Sequence, residues 1–300
     1  MLNVCGYDIK VDGGWLFRIA RIAGDKYVAI EDPTRLLEEL RRCGTRVDLF
    51  TFMQILPEVQ PKFAYVVEWD NWAVIEVSTF EYWWTKQVND RTRNKVRKAE
   101  KKGVVVREVP FDDTLVKGIW EIYNECPVRQ GKPNRYYGLD VEAVRKLEAA
   151  YLDGSVFLGA FLDGRMIGFI KMVVEASRRQ AKTMNVISMV RHWDKAPMNA
   201  LISHAVRICA ERGIPYFVYG SFTYGKKQND GLSDFKANNG FRPVLLPRYY
   251  VPLSFAGSIA LQCGLHHRLR DRLPESVVSK VRALRSAWYD RTIRAFRVAS

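Results

Sequence analysis

One short stretch, SDFKANNGF at residues 233–241, places a single cation among apolar and amide side chains. Lys236 lies there on a short helical piece, directly before an Asn-Asn-Gly break and a closing strand. A cation in such a position can stabilise negative charge that develops on a reacting oxygen. Taken alone, Lys236 is one of 47 basic residues and is equally suited to solvent.

A second candidate group is the cationic segment CPVRQGKPNRYY at residues 126–137, which carries Arg129, Lys132 and Arg135 and ends in Tyr137. The planar guanidinium of arginine pairs with two phosphate oxygens at once, so this segment is a candidate phosphate contact. The alternative is a loop whose cations face water.

The third group begins within the apolar run IPYFVYGSF and continues beyond it. It contains Tyr219, Ser221, Tyr224 and Lys226, followed by two carboxylates, Asp230 and Asp234. Tyrosine can donate a proton to a leaving group, and a carboxylate can accept one from an amine. Packing of the tyrosine and capping of the next helix by the carboxylates are the alternatives.

The pattern that must position these groups is mixed α/β. In the second half, a helix at 140–152 precedes two apolar strands joined at Asp163-Gly164, a strong hairpin signal. A third strand, a helix from Pro197 to Arg212, a strand, a short helix and a last strand follow. We expect Asn239-Gly240 to end the short helix in a left-handed turn.

The first half contains shorter elements. We predict a strand in RVDLFTFMQ, a hairpin with Asp70-Asn71 at its tip, and one long helix at residues 80–102. Asp112 or Asp113 can cap the next helix. The predicted domains are residues 1–115, an abbreviated N-terminal half, residues 116–260, and a basic helical tail at 261–300.

Composition narrows the class of protein. The 300 residues carry a net charge of +14, which favours anionic partners. Five scattered cysteines without a CxxC pair indicate reduced thiols, and four histidines make us expect no histidine-rich metal site. Interrupted apolar runs predict neither a signal peptide nor a transmembrane helix, so we expect a cytoplasmic protein.

Two cationic stretches have alternative interpretations. The run at residues 91–107 suits a solvated helix face, with Val88, Val96 and Ala99 inward, or a polyanion contact. Without a helix-turn-helix or zinc pattern we expect no sequence-specific DNA binding. The tail from residue 266 onward, with net charge +6, either contacts an anionic membrane surface peripherally or docks on the body.

The order of elements in the second half resembles the GNAT acyltransferase fold. Four segments look like the Fem-type peptidoglycan-bridge aminoacyltransferases: TRNKVRKAEKKGV, IWEIYNECPVRQGKPNRYY, APMNALISHAVRICAERGI and GLSDFKANNGF. The resemblance covers most of residues 80–250. It implies tandem GNAT-like halves, with the N-terminal one abbreviated. Fem-type proteins often carry a helical-hairpin arm for transfer RNA, and this sequence shows no such insertion.

The resemblance also implies roles. Lys236 matches the Fem-type Phe-Lys segment and, with Tyr224 and Asp230, becomes a catalytic candidate. Arg129 and its neighbours Lys132, Arg135 and Tyr137 would contact a phosphate-bearing acceptor, and Tyr219, Ser221 and Lys226 would line the acceptor side. Arg191 and Asn199 would orient the donor, either an acyl-CoA or an aminoacyl-tRNA, with no metal.

The turn RHWDKA at residues 191–196 bears on the donor. GNAT enzymes hold the coenzyme A pyrophosphate on a turn of pattern R/Q-x-x-G-x-G/A at a helix N-terminus. Asp194 replaces a glycine of that pattern, and Pro197 removes a donor. We therefore expect a Fem-like transferase that acylates an amine of an envelope or polysaccharide acceptor. The alternatives are an acetyl-CoA-dependent N-acetyltransferase and an idle scaffold that binds a polyanion or membrane.

Overall fold

The structure is a computed structural model that describes residues 1–24, 27–177, 179–223 and 231–267. The strands are β1 (Leu2–Val4), β2 (Tyr7–Gly13), β3 (Arg18–Ile22), β4 (Leu49–Met53), β5 (Val66–Glu76), β6 (Val105–Val109), β7 (Val128–Arg129), β8 (Lys132–Pro133), β9 (Ser155–Leu162), β10 (Arg165–Val174), β11 (Gln180–Ser188), β12 (Tyr216–Ser221) and β13 (Arg242–Pro252). The helices are α1 (Thr34–Arg42), α2 (Phe80–Tyr82), α3 (Asp90–Lys101), α4 (Asp113–Tyr123), α5 (Val141–Glu148), α6 (Pro197–Glu211), α7 (Gly231–Asn238) and α8 (Phe255–Gln262).

The chain forms two compact units. The first contains residues 1–74, 221–225 and 242–272, and the second contains the remainder. These units contain residues that contact one another. The predicted domains at 1–115, 116–260 and 261–300 are a different division, into two related halves and a tail. Those domain boundaries therefore stay a prediction, and the tail from residue 268 lies outside the described residues.

The first unit has a mixed sheet in the order β1-β2-β3-β4-β13-β5. Its pairs are antiparallel except β3 with β4, which are parallel and joined through α1. Phe50, Phe52 and Tyr249 form its buried aromatic centre, with Phe52 stacked on Tyr249 at a ring distance of 4.9 Å. Leu36, Leu37 and Leu40 share one face of α1 and pack into the same core.

The second unit contains the sheet β12-β11-β10-β9-β6, in which only β11 and β12 are parallel. Asp163 and Gly164 both adopt positive φ, as a tight turn between β9 and β10 requires. A register shift in β11 beside Lys171 leaves Met184 without a Cα partner on β10. Helices α4 and α6 contact β10, and their buried faces include Ile119, Ile122, Leu201 and Val206. The mixed α/β class predicted from the sequence is confirmed.

Two predicted elements are wrong. The expected hairpin at Asp70-Asn71 is one continuous strand, because β13 pairs with β5 along its length and places Leu246 and Leu245 opposite those two residues. Their polar side chains are accommodated within the unit: Asp70 accepts a hydrogen bond from Arg248 at 2.8 Å, and Asn71 donates one to Thr223 at 3.0 Å.

The expected single helix at residues 80–102 is interrupted. After α2, a π-helical turn at Trp83–Gln87 ends at the extended residue Val88. Asn89 then begins α3, and its side chain accepts a hydrogen bond from the backbone N–H of Thr92 at 2.9 Å. Asparagine is a strong N-cap, so it starts a new helix here. The predicted inward placement of Val88, Val96 and Ala99 is confirmed.

Among the described residues, no helix is both long and apolar enough to cross a lipid bilayer.

Candidate active site

The parallel strands β11 and β12 part from one another after a short paired stretch. Their register runs from Gln180↔Tyr216 to Lys182↔Val218, although both strands continue. Just past the last pair, the Thr183 hydroxyl donates to the Tyr219 carbonyl oxygen at 3.0 Å. A side chain therefore replaces backbone pairing at the point where the two strands separate.

Lys236 and Tyr219, both predicted site residues, meet beside this opening. Lys236 lies on α7 with none of its surface exposed, and its Nζ is 5.0 Å from the centroid of the Tyr219 ring. Phe241 packs edge-on against the same ring at 5.6 Å. A buried ammonium is costly, and the face of an aromatic ring offsets part of that cost. The fold thus holds a desolvated cation next to the first residue of β12 beyond the paired stretch.

The end of α7 is fixed by the fully buried side chain of Asn239. Its Oδ1 accepts from Asn199 Nδ2 at 3.1 Å, and its Nδ2 donates to the Phe235 carbonyl at 2.7 Å. The Asn239 carbonyl accepts from Trp83 Nε1 at 3.1 Å. Asn199, predicted to orient a donor, therefore joins the first turn of α6 to the end of α7.

The predicted left-handed turn is present one residue after Asn239. Gly240 has φ +87°, and the N–H of Phe241 donates to the Lys236 carbonyl at 3.0 Å. A Cβ at Gly240 would lie 3.1 Å from Trp83 Nε1, so a larger residue would crowd the indole as well as strain the turn. This termination sets the direction in which the chain leaves Lys236.

A cleft of about 290 Å³ lies against the outer side of α7. Arg91 and Lys95 of α3 line it together with Asn199 and Asp234. The two cations outnumber the single carboxylate, which suits a ligand that carries phosphate. The sequence left a solvated helix face and a polyanion contact open for both cations, and their i, i+4 spacing on α3 puts them side by side.

Glu125 joins two of the predicted arginines. Its carboxylate accepts from the N–H groups of Val190 at 2.6 Å and Arg191 at 3.1 Å. Arg129 lies 3.4 Å from the same carboxylate and also donates to the Ser188 carbonyl. The side chains of Arg129 and Glu125 are only 14% and 8% exposed. An internal carboxylate thus occupies backbone donors at the start of the turn Val190–Lys195, the stretch compared above with the phosphate-binding turn of GNAT enzymes.

A buried polar network, missed by sequence reasoning, supports the loop that carries Arg129. Glu148 Oε1 accepts from the Tyr123 hydroxyl at 2.7 Å and from Asn185 Nδ2 at 2.8 Å. Tyr136 stacks on Tyr123 at 4.1 Å and donates to Asn185 Oδ1 at 2.9 Å. Burial, followed by the charge of Glu148, raises the pKa of Tyr123, so this phenol stays protonated.

Lys171 adjoins this network through the backbone of Glu148. Its Nζ donates to the carbonyls of Glu148 and Ala150, each at 2.6 Å. Burial lowers the pKa of Lys171, and the charge of Glu148 opposes that shift. The lysine therefore binds the last carbonyl of α5 and one just beyond the helix, a position where a cation is favourable. No local sequence pattern signals this network, since its members come from five separate elements or loops.

The other predicted residues lie near the surface or outside the described chain. Lys132 on β8 and Tyr137 are exposed, and the exposed Arg135 donates to the Tyr136 hydroxyl. Arg191 is half exposed, and Ser221 ends β12. Tyr224, Lys226 and Asp230 lie outside the described residues.

Comparison with known proteins gives similarity in structure only. No protein-family model and no curated protein sequence matches the chain. The C-terminal domain of a putative lysylphosphatidylglycerol synthetase from Agrobacterium fabrum superposes with a TM-score of 0.57 at 14% identity, covering 85% of this chain and 83% of that one. FemX superposes with a TM-score of 0.53 at 11% identity, covering 85% of each chain.

A third solved structure, L-PGS from Bacillus licheniformis, gives a TM-score of 0.53 at 13% identity over 87% of this chain and 86% of that one. The chain has the Fem-type GNAT fold. The predicted mixed α/β fold of Fem type is therefore confirmed. In this chain, β11, the turn at Val190–Lys195, α6 and β12 follow one another in sequence, and α7 comes after β12.

Proposed function

We propose that the chain is a Fem-like acyl- or aminoacyl-transferase that forms an amide on an amine of a cell-envelope or polysaccharide acceptor. The observation that carries this proposal is the buried Lys236, held on the Tyr219 ring where β11 and β12 part. A shared fold does not imply a shared activity. The support for this proposal is therefore the site itself and not the structural similarity to the three solved structures.

The proposed reaction joins an amine nitrogen to the carbonyl carbon of an activated ester or thioester. A C–N bond forms, the C–O or C–S bond breaks, and the amine proton passes to the leaving oxygen or sulfur. The tetrahedral intermediate carries negative charge on the former carbonyl oxygen. The Lys236 ammonium would stabilise that charge in a site with little water, where electrostatic interactions are strong.

Proton transfer would fall to residues that follow β12. We keep Asp230 as the candidate acceptor of the amine proton and Tyr224 as the candidate donor to the leaving group. Tyr219, whose ring face is occupied by Lys236, would orient the acceptor together with Ser221 and Lys226. Neither of the two candidates for proton transfer lies within the described chain.

For the donor, we propose that phosphate binds in the cleft at Arg91 and Lys95 rather than on the turn after β11. Glu125 already occupies the Val190 and Arg191 N–H groups, and its charge would repel a pyrophosphate there. This argues against the usual coenzyme A position and favours an aminoacyl-tRNA, or an acyl-CoA bound differently. Asn199 would place the reactive end, because it lines the cleft and binds Asn239.

For the acceptor, we propose a phosphate-bearing molecule. Lys132 and Arg135 are exposed and can reach such a group directly. Arg129 is mostly buried against Glu125 and Ser188, so it would hold their loop in place and expose only an edge of its guanidinium to the ligand. The proposed location is cytoplasmic, with peripheral contact at an anionic membrane surface.

The test is a donor and acceptor screen on the purified full-length chain. Thermal-shift measurements would compare acetyl-CoA, longer acyl-CoAs, aminoacyl-tRNA and nucleotide-sugars. Radiolabelled donors would then be offered to amine acceptors and to vesicles containing phosphatidylglycerol. This lipid is included because one of the similar structures is named a putative lysylphosphatidylglycerol synthetase. We expect transfer from aminoacyl-tRNA or a longer acyl-CoA. Stabilisation by acetyl-CoA well below millimolar would redirect the proposal to an N-acetyltransferase, and salt-sensitive polyanion binding without any transfer would support the idle scaffold.

A further inference from the structure

A cluster of possible metal ligands lies in the first unit. Glu68 projects from β5, and His266 and His267 follow α8. One ligand atom from each of the three residues lies within 4.8 Å of the others. No ligand pattern in the sequence signals this, because the glutamate and the histidines are almost 200 positions apart.

Both imidazoles direct the same nitrogen to the same oxygen. His266 Nε2 lies 2.7 Å and His267 Nε2 lies 3.1 Å from Glu68 Oε1. The ring centroids of the two histidines are 4.0 Å apart, and the His266 ring lies 4.6 Å from that of Tyr250. The three donor atoms therefore converge on one point from two chain segments.

The three side chains differ in how much of their surface is exposed, and this leaves one side of the cluster open to solvent. The His266 side chain is 2% exposed, whereas those of His267 and Glu68 are 43% and 35% exposed. Within the described residues, His266 Nδ1 has no hydrogen-bond partner, so the ring is fixed through Nε2, the atom of the cluster. An ion could enter from the His267 side, and water could complete its coordination.

We propose that Glu68, His266 and His267 bind one divalent transition-metal ion, with Zn²⁺ as the expected ion. Two neutral imidazole nitrogens and one carboxylate are a ligand set typical of zinc, with bonds of about 2.0–2.2 Å. Tetrahedral donors at such bond lengths lie roughly 3.3 Å apart, so the separations of 2.7 and 3.1 Å would widen by about 0.6 and 0.2 Å when the ion binds. The bound ion would cross-link the segment after α8 to β5.

The chain offers matched controls for this proposal. It has four histidines, and His192 and His204 lie in the second unit, outside the cluster. Zinc also binds thiolates, and Cys263 lies three residues before His266. The informative variants are therefore His267→Asn and Glu68→Gln, which alter exposed ligands, with His192→Gln and Cys263→Ser as controls.

The experiment is a calorimetric titration of ZnCl₂ into the full-length chain, purified without a histidine tag and stripped with a chelator. We expect one ion per chain, a raised melting temperature, and at least a tenfold loss of affinity in His267→Asn and Glu68→Gln. Replacement by Co²⁺ should give visible absorption bands that disappear in the same two variants, which distinguishes lost ligation from lost folding when circular dichroism is unchanged.

Several outcomes would overturn the proposal. They are no binding to the wild-type chain, unchanged binding in both ligand variants, or an equal loss in His192→Gln. Loss of binding in Cys263→Ser would also overturn it, because the ligand set would then be a different one. None of these outcomes bears on the transferase proposal, whose central pair, Lys236 and Tyr219, lies in the second unit.

Discussion

At the scale of single residues, two of the buried lysines, Lys171 and Lys236, have different surroundings. Lys236 contacts the face of an aromatic ring beside the strand opening. Lys171 donates to two backbone carbonyls at the end of α5. A lysine whose donors are held by carbonyls serves the fold, whereas one placed beside an opening in a sheet is positioned for chemistry. The two residues therefore predict different experiments.

Lys171 should contribute to how stability depends on pH. Because burial lowers its pKa in the folded state, the folded chain binds fewer protons than the unfolded chain between that lowered pKa and the ordinary value of 10.5. Stability should therefore rise with pH across this interval. In Lys171→Met, urea unfolding at several alkaline pH values should show a smaller rise than in the wild type.

The same variant should be less stable at neutral pH, by about 1–3 kcal/mol for a buried carbonyl left without a donor. The exposed lysine Lys117 on α4 provides the control, since Lys117→Met should change neither the stability nor its slope with pH. An identical pH slope in Lys171→Met and the wild type would contradict the account of Lys171.

At the scale of elements, the position of α7 depends on one side chain. Asn239 links the last turn of α7 to the first turn of α6, and its carbonyl binds the indole of Trp83. The preceding residue, Asn238, is less buried and makes a side-chain contact with Asn89. These neighbours offer a matched test of whether the link holds Lys236 in place.

We predict that Asn239→Ala lowers the free energy of unfolding by about 1–3 kcal/mol, because Asn199 Nδ2 is left buried without its acceptor. Transfer activity should fall as well, since Lys236 is no longer held. Asn238→Ala should cost less than about 1 kcal/mol, the value of an ordinary hydrogen bond. Equal losses of stability in the two variants, measured by urea unfolding, would contradict the specific role of Asn239.

The turn after β11 gives a second prediction for an element. Glu125→Gln removes the negative charge beside the Val190 and Arg191 N–H groups, so coenzyme A should bind more tightly than to the wild type. Calorimetry with coenzyme A measures the change, and Glu121→Gln on the same stretch of chain is the control. Unchanged or weaker binding in Glu125→Gln would show that this carboxylate does not block the site.

Local signals predicted the elements of the second unit well. Proline opens α6 where expected, Asp163-Gly164 turns between β9 and β10, and Gly240 ends α7. The helix expected at residues 80–102 was an exception, because the local N-cap signal of Asn89 was missed. The other error arose where a distant partner decides the structure. Asp70 and Asn71 have the composition of a turn, but β13, some 170 residues later, keeps them in a strand.

The candidate site was also predictable only in part, because local patterns identify some of its residues and tertiary contacts decide the others. The resemblance selected Lys236 and the topology selected Tyr219, and the structure brings them together. Three other features of the site join residues that are far apart in sequence. They are the hydrogen bond between Asn199 and Asn239, the network around Glu148, and the contact of Glu125 with the turn after β11. Such contacts depend on tertiary packing and leave no periodic or spacing signal in one sequence.

At the scale of the whole molecule, the excess of basic residues agrees with the proposed ligands. The chain carries a net charge of +14, and two of its cations line the cleft against α7. A phosphate-bearing donor and a phosphate-bearing acceptor would both be attracted by this charge, and the attraction should weaken as salt is added. Charge alone does not distinguish a transferase from a binding protein, so turnover is the decisive observable.

The most direct test of the transferase account is the rate of acyl or aminoacyl transfer in Lys236→Ala, measured with the donor that the screen identifies. Loss of one group that stabilises the oxyanion should lower the turnover rate by about 10²–10³-fold. Lys117→Ala should retain the wild-type rate, and circular dichroism should show that both variants are folded. A folded Lys236→Ala variant that transfers as fast as the wild type would contradict the central claim.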